Sequence, residues 1–154
     1  MEEFRDTDVP SNRVYVAWLC ALSPVPPTDA ATGLEMVRAV QKHLIPGDDG
    51  DFQVLVSGAS LVRNGQYDEA VGTLTTLAEK LDRGGDATDE YQLACAEYFL
   101  ALARHQQGHD FQARRYLTEA IRYANAYRQV SHEWISLVAL DALQREMEAA
   151  LSKP

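Results

Sequence analysis

The chain reads as an all-α protein, a right-handed stack of antiparallel helix pairs closed by a C-terminal capping helix. Three observations carry that reading. Apolar residues recur at i, i+3, i+4 and i+7 in most segments between turn residues. No segment keeps the apolar/polar alternation, bounded by turn residues, of a half-buried strand. One pattern also returns: "RNGQYDEAVGTL" at 63–74 and "QQGHDFQARRYL" at 106–117, offset by 43 residues (108 − 65).

Seven helices are expected. The first runs from about Asn12 to Leu22 and stops before "SPVPP", because proline disfavours helical geometry in the residue ahead of it. The second follows Thr28, a suitable N-cap, with Asp29 at the positive end of the helix dipole. It carries Leu34, Val37, Ala39 and Val40 and ends at Pro46–Gly47. The third, about Asp51 to Asn64, turns Val54, Leu55, Leu61 and Val62 inward, and Gly65 supplies the left-handed residue past its end. The fourth, about Gln66 to Asp82, carries the stripe Tyr67, Ala70, Val71, Leu74, Leu77, Ala78, Leu81. "DRGGDATD" at 82–89 ends it and offers Thr88 or Asp89 as the next N-cap. The fifth, Glu90 to Gln107, is apolar nearly all round, which requires neighbours on two or more sides. Only Glu90, Glu97 and Arg104 form a charged stripe on it. Gly108 ends it as Gly65 ends the third. The sixth, about Asp110 to Ala126, shows Ala113, Leu117, Ala120, Ile121 and Ala124. The seventh, about Ser131 to Ser152, shows Trp134, Leu137, Val138, Leu143, Met147 and Leu151. The expected organisation is an acidic, flexible stretch at 1–11 followed by one helical domain at 12–154. Helix pairs fall at about 12–43, 51–82 and 90–126, and the cap at 131–152.

Two helix–Gly–helix units superpose. Gly65 matches Gly108, Ala70 matches Ala113, Leu74 matches Leu117, and the small residues Gly58 and Ala101 occupy one site in the first helices. A small residue lets two helices approach, and the large apolar residue four positions after the alanine fills the groove beside it. Shifting the first unit by 38 puts Thr32, Met36 and Ala39 on the same sites without the glycine, a degenerate leading pair. These residues resemble the tetratricopeptide repeat (TPR), whose second helix carries an Ala and then a large apolar residue four later. The spacing is 43 where the family has 34, and the aromatic site of the first helix holds Val54 and Glu97. The order "YVAWLCALSP", "NGQYDEAV", "ALARHQQGHDFQARRYLTEA" and a Trp/Leu tail further resembles the C-terminal TPR region of large bacterial multidomain proteins, in which kinase or propeller modules often lie upstream.

The resemblance implies a concave groove lined by the first helix of each pair. It assigns Phe52, Leu55, Ala59, Val62 and Arg63 from one unit, and Cys95, Tyr98, Leu102, His105 and Gln106 from the next. The list is mainly apolar, so the implied ligand is an apolar or helical protein segment. The family's clamp for a C-terminal carboxylate uses Lys, Asn and Arg, whereas Leu55 and Ala59 stand at two of those sites here. The capping helix or a neighbouring domain is the alternative occupant.

Charge and motifs narrow the function. The 154 residues carry a net charge of −9. Within it, 104–128 holds five Arg against Asp110 and Glu119, a local +3 read as a solvated helix face. An acidic chain is a poor partner for nucleic acid, which needs clustered cations. No apolar run approaches the roughly 20 residues that cross a bilayer, and "MEEFRDTDVP" lacks the features of a signal peptide. Cys20 and Cys95 lie far apart in helical contexts and read as small buried hydrophobes, which fits the cytoplasm. No phosphate-binding or nucleophile motif is present. "HQQGH" at 105–109 spaces two histidines by four, but Gly108 breaks the helix between them and no third metal ligand is suitably spaced. The expectation is therefore a non-catalytic interaction module, without metal or cofactor, binding a protein segment or a second copy of itself. The competing reading is a small helical enzyme or ligand sensor with a pocket around Glu97, Tyr98 and His105. The tyrosines at 116, 123 and 127 are expected to pack against the seventh helix.

Overall fold

A computed structural model describes residues 10–23, 35, 38, 50–84 and 87–152. Within them lie six helices: α1 Pro10–Leu22, α2 Gly50–Arg63, α3 Tyr67–Leu81, α4 Ala87–Gln106, α5 Asp110–Val130 and α6 Trp134–Leu151. No strand occurs among the described residues. The helix expected at about 28–43, with its Thr28 cap, falls outside them apart from Glu35 and Arg38, both helical and exposed.

The two repeat turns are built alike. Gly65 has φ +75° and Gly108 has φ +77°, the left-handed region where a Cβ is unfavourable. At the first, Gln66 N–H donates to the Leu61 carbonyl at 2.9 Å and Gly65 N–H to Val62 at 3.1 Å. At the second, His109 N–H donates to Arg104 at 2.8 Å and Gly108 N–H to His105 at 2.9 Å. Both are Schellman closures, which satisfy carbonyls that the helix end would otherwise leave open. The helix that follows each glycine folds back antiparallel to the one before it.

Small residues set the separation within the first hairpin. A Cβ built at Gly58 would lie 2.5 Å from Leu74 Cγ, so the α2 backbone approaches α3 to a distance only glycine permits. Ala101 holds the same place in α4 and is fully buried, as are Ala70 and Ala113.

The helices α2, α4 and α6 neighbour one another in that order, α3 bridging the first two and α5 the last two. Helix α4 thus has neighbours on most of its circumference, and eleven of its twenty residues are buried. One hydrophobic cluster runs through all six helices.

Boundaries shift from expectation at four places: α1 begins at Pro10, two residues early and inside the stretch 1–11 expected to be flexible, α6 begins at Trp134, three residues after the expected Ser131, and α4 and α5 shift as well. Helix α4 begins at Ala87, so Thr88 and Asp89 sit in its first turn rather than capping it. Helix α5 continues to Val130, four residues beyond the expected end. Buried Tyr127 and the Arg128–Asp141 ion pair at 2.6 Å anchor that last turn until Ser131 turns extended.

Candidate functional site

The expected partner groove is filled from within the chain. Leu55, Ala59, Val62, Cys95, Tyr98 and Leu102 are all buried, and none is open to a partner in this conformation. Part of the filling comes from α1. Its Val14, Ala17, Trp18 and Ala21 form an i, i+3, i+4, i+7 face that is buried along its length. Trp18 meets Phe52 of α2 at 5.7 Å and Phe99 of α4 at 6.0 Å, both edge-on. Capping helix α6 covers another part, where the Tyr98 hydroxyl donates to Gln144 Oε1 at 3.2 Å. Burial holds the Tyr98 hydroxyl above the ordinary phenol range. The expectation made α1 the start of a leading helix pair. The second helix of that pair lies outside the described residues, apart from Glu35 and Arg38, and the buried face of α1 lies against α2, α4 and α6.

Arg63, expected to face a ligand, locks this arrangement. Its guanidinium donates to both Glu146 oxygens of α6, at 2.5 and 2.7 Å, and Nε donates to the Ala21 carbonyl at 2.7 Å. It also stands 5.5 Å from the centre of the Phe99 ring. Four helices therefore meet at one side chain that is 9% exposed. His105 and Gln106, at the matching end of α4, do not reach a groove. His105 Nδ1 lies 2.7 Å from Asp110 Oδ1 across the glycine turn, and Gln106 is exposed.

Glu97, Tyr98 and His105 do not form one pocket. Tyr98 faces α6 and His105 faces the turn. Glu97 lines a separate cleft of about 500 Å³ between α4 and α5 with Arg104, Gln112, Arg115, Tyr116, Thr118 and Glu119. Glu97 Oε2 and Arg104 Nε are buried there without a hydrogen-bond partner. Burial, with the nearby Glu119 carboxylate, pushes the Glu97 carboxyl up to about 7, and Arg122 acts against the shift. Glu97 and Arg104 share one cleft, as their spacing on the charged stripe predicts.

The other five-Arg segment residues are largely engaged within the chain. Arg114 donates to the Leu151 carbonyl, Arg122 pairs with Glu119, and Arg128 pairs with Asp141. The tyrosine cluster divides as well. Tyr127 is buried and donates to Glu133 just ahead of α6, but Tyr123 donates to Asp82 at the end of α3 and Tyr116 lines the Glu97 cleft. Neither cysteine is in a disulfide; Cys95 is fully buried, and that burial pushes its thiol up. Among the described residues, no three His, Cys, Asp or Glu side chains converge as metal ligands.

A second cleft, of about 580 Å³, opens between α1 and the N-terminal turns of α2, α4 and α6. Its walls include Trp18, Phe52 and Tyr91, and its rim includes the exposed apolar residues Tyr15, Leu19 and Ile135. Trp134 and Val138 extend the exposed apolar surface along α6. Two amide oxygens, Gln53 Oε1 and Gln92 Oε1, are sealed from solvent here and accept no hydrogen bond. Sequence reasoning missed this surface. The available signal was that α1 has apolar residues on both faces, with Tyr15 and Leu19 four apart opposite the buried set.

No family model, curated protein or solved structure matches this chain. No helix among the described residues is long and apolar enough to cross a membrane.

Proposed function

We propose that this protein is a non-catalytic interaction module, a TPR-type helical scaffold that binds a protein segment. The repeat turns at Gly65 and Gly108 and the small–large pairs support the scaffold. The observation that carries the binding reading is the open cleft between α1 and α6, rimmed by Tyr15, Leu19 and Ile135, which are 61%, 63% and 56% exposed. Exposed apolar residues gathered on one cleft are the usual mark of an interaction surface. The concave face is already occupied by α1, so the partner surface lies at its edge and includes α1 as a wall.

The test is capture from a cell lysate by the immobilised full chain and by a Leu19→Asp/Ile135→Asp variant with unchanged helical content and Tm. Proteins retained by the first and lost from the second are expected. Identical capture by both, or none by either, would reject the reading.

A second reading has one observation in its favour. The unpartnered Glu97 and Arg104 atoms in the α4–α5 cleft would suit a small polar ligand bearing both a donor and an anionic group. A Glu97→Gln variant with unaltered thermal response to every amino acid and dicarboxylate tested would remove it.

A further inference from the structure

Helix α6 repeats the burial pattern of α2 and α4. Ala142 falls on Ala101 at an offset of 41 (142 − 101), as Ala101 falls on Gly58. In that register Leu55 and Val56 of α2, Tyr98 and Phe99 of α4, and Ala139 and Leu140 of α6 match, and all are buried. The face that α2 turns to α3, and α4 to α5, runs through the small-residue site. Gly58 is covered there by Leu74, and Ala101 is fully buried. On α6 the same face is bare. Ala142 is exposed, Ile135 is 56% exposed and Val138 is 59% exposed. Val138 stands at the place of Val54 and Glu97, which are both half-buried. Ala149 stands where Gly65 and Gly108 turn the chain back, and α6 runs on to Leu151. The hairpin closure that seats α3 on α2 and α5 on α4 is therefore missing at its matched position, and no helix among the described residues covers this face.

The two filled seats define what the bare one takes. Each covering helix brings a small residue and, four positions on, a large apolar one: Ala70 and Leu74 in α3, Ala113 and Leu117 in α5. A charged site narrows the choice. Arg145 is exposed at the place of Arg104. Arg104 lines its cleft with Gln112, the residue just ahead of Ala113. The residue just ahead of the small one on a covering helix thus lies towards Arg145. An acid there complements the guanidinium, and Glu69 fills that place in α3. A second copy of the chain is disfavoured as the occupant, because two molecules of net charge −9 repel.

We propose that the outer face of α6, through Val138, Ala142 and Arg145, receives an amphipathic helix from a partner protein. That helix carries an acid, a small residue directly after it, and a large apolar residue four positions beyond the small one. It completes a third hairpin in trans. Ile135 borders both this face and the α1–α6 cleft, but the face is a separate surface and goes beyond the cleft reading.

The probe is the chain's own α3 sequence, Gln66–Asp82, as a peptide held helical by a lactam between Lys80 and a Thr76→Glu substitution, both exposed sites in α3. Binding to the full chain is read by calorimetry and by fluorescence anisotropy of a dye-labelled peptide. Ala142→Arg fills the small site at an exposed helical position, so its Tm should match that of the wild type. It should weaken binding about tenfold or more, as should Leu74→Ala in the peptide. Leu19→Asp, in the α1–α6 cleft, should leave binding unchanged. Glu69→Gln in the peptide and Arg145→Gln in the chain should each weaken it severalfold and remove its salt dependence.

Failure of the peptide to bind, or binding that Ala142→Arg leaves intact, would overturn the assignment. A dimer in light scattering that Ala142→Arg dissociates would overturn it by seating a second copy on the face. Cross-links from an Ala142→Cys variant to residues 24–49 would do so by seating the chain's own segment there. Binding lost with Leu19→Asp but kept with Ala142→Arg would move the helix to the α1–α6 cleft, overturning this inference and leaving the interaction module standing.

Discussion

The hairpins α2/α3 and α4/α5 share a turn, a small–large pairing and a 43-residue offset, yet their side chains end in different environments. At matched positions Val54 meets Glu97, Leu55 meets Tyr98, Gly58 meets Ala101, Val62 meets His105 and Arg63 meets Gln106. In the first hairpin Leu74 is fully buried against Gly58, whereas in the second Leu117 is only half-buried. Arg63 reaches across to α1 and α6 while Gln106 points to solvent. The repeat therefore sets hairpin geometry, and the neighbours of each hairpin set what its side chains do. Helix α2 lies under α1. Helix α4 is central, so a polar residue at Glu97 is trapped between helices.

The largest expected contrast is at the turn ends. Arg63→Met should destabilise the chain by roughly 2–4 kcal/mol, because it leaves the partly buried Glu146 carboxylate and the Ala21 carbonyl without their donor. Gln106→Met at the matching exposed site should stay within about 0.5 kcal/mol. Denaturant unfolding of both variants checks this, and a small effect at Arg63 would mean that α1 and α6 are held by packing alone.

The small–large pairs come next. Leu74→Ala should cost about 2–5 kcal/mol and half-buried Leu117→Ala clearly less. Gly58→Ala should cost roughly 1–3 kcal/mol by forcing Leu74 off its position. Thermal melts would show whether the first hairpin is the tighter one, and an unchanged Tm for Gly58→Ala would deny it.

At the turns the hairpins should behave alike. Gly65→Ala and Gly108→Ala each place a Cβ in the left-handed region and should each cost about 1–2 kcal/mol. Unequal losses would show that one turn relaxes.

The smallest effect separates Val54 from Glu97 and has the opposite sign. The folded Glu97 carboxyl titrates near 7, against 4.5 ordinarily, so the folded state binds its proton more tightly than the unfolded state. Wild-type stability therefore falls as pH rises from about 4.5 through about 7 and then levels. Glu97→Gln should leave stability unchanged below this window and raise it by roughly 1–2 kcal/mol above, since partial solvent access screens the charge. Equal melts of the two proteins at pH 8 would show that the ionised carboxylate finds a partner.

Much of this was legible in the residues, and the exceptions have physical reasons. Helix ends at Gly65 and Gly108 followed from glycine's access to positive φ, and the buried stripe of α3 from its periodicity. That Glu97 and Arg104 line one cleft followed from a spacing of seven on one helix. The extra turn of α5 was not legible, because Tyr127 and Arg128 stabilise it through contacts with α4 and α6.

What the sequence by itself determined is local: all-helical structure, two glycine turns, and the faces of α3 and α5 that turn inward. These depend on backbone sterics and on a 3.6-residue period, both contained in short stretches of chain. Only the tertiary structure decided that the expected groove is closed, that Glu97 and Tyr98 part company, and that a cleft opens beside α1. Helix α1 is apolar on both faces, so its periodicity cannot choose which face is buried. That choice is made by the row of α2, α4 and α6, where Phe52, Phe99 and Arg63 receive Trp18 and Ala21 and leave Tyr15 and Leu19 outside.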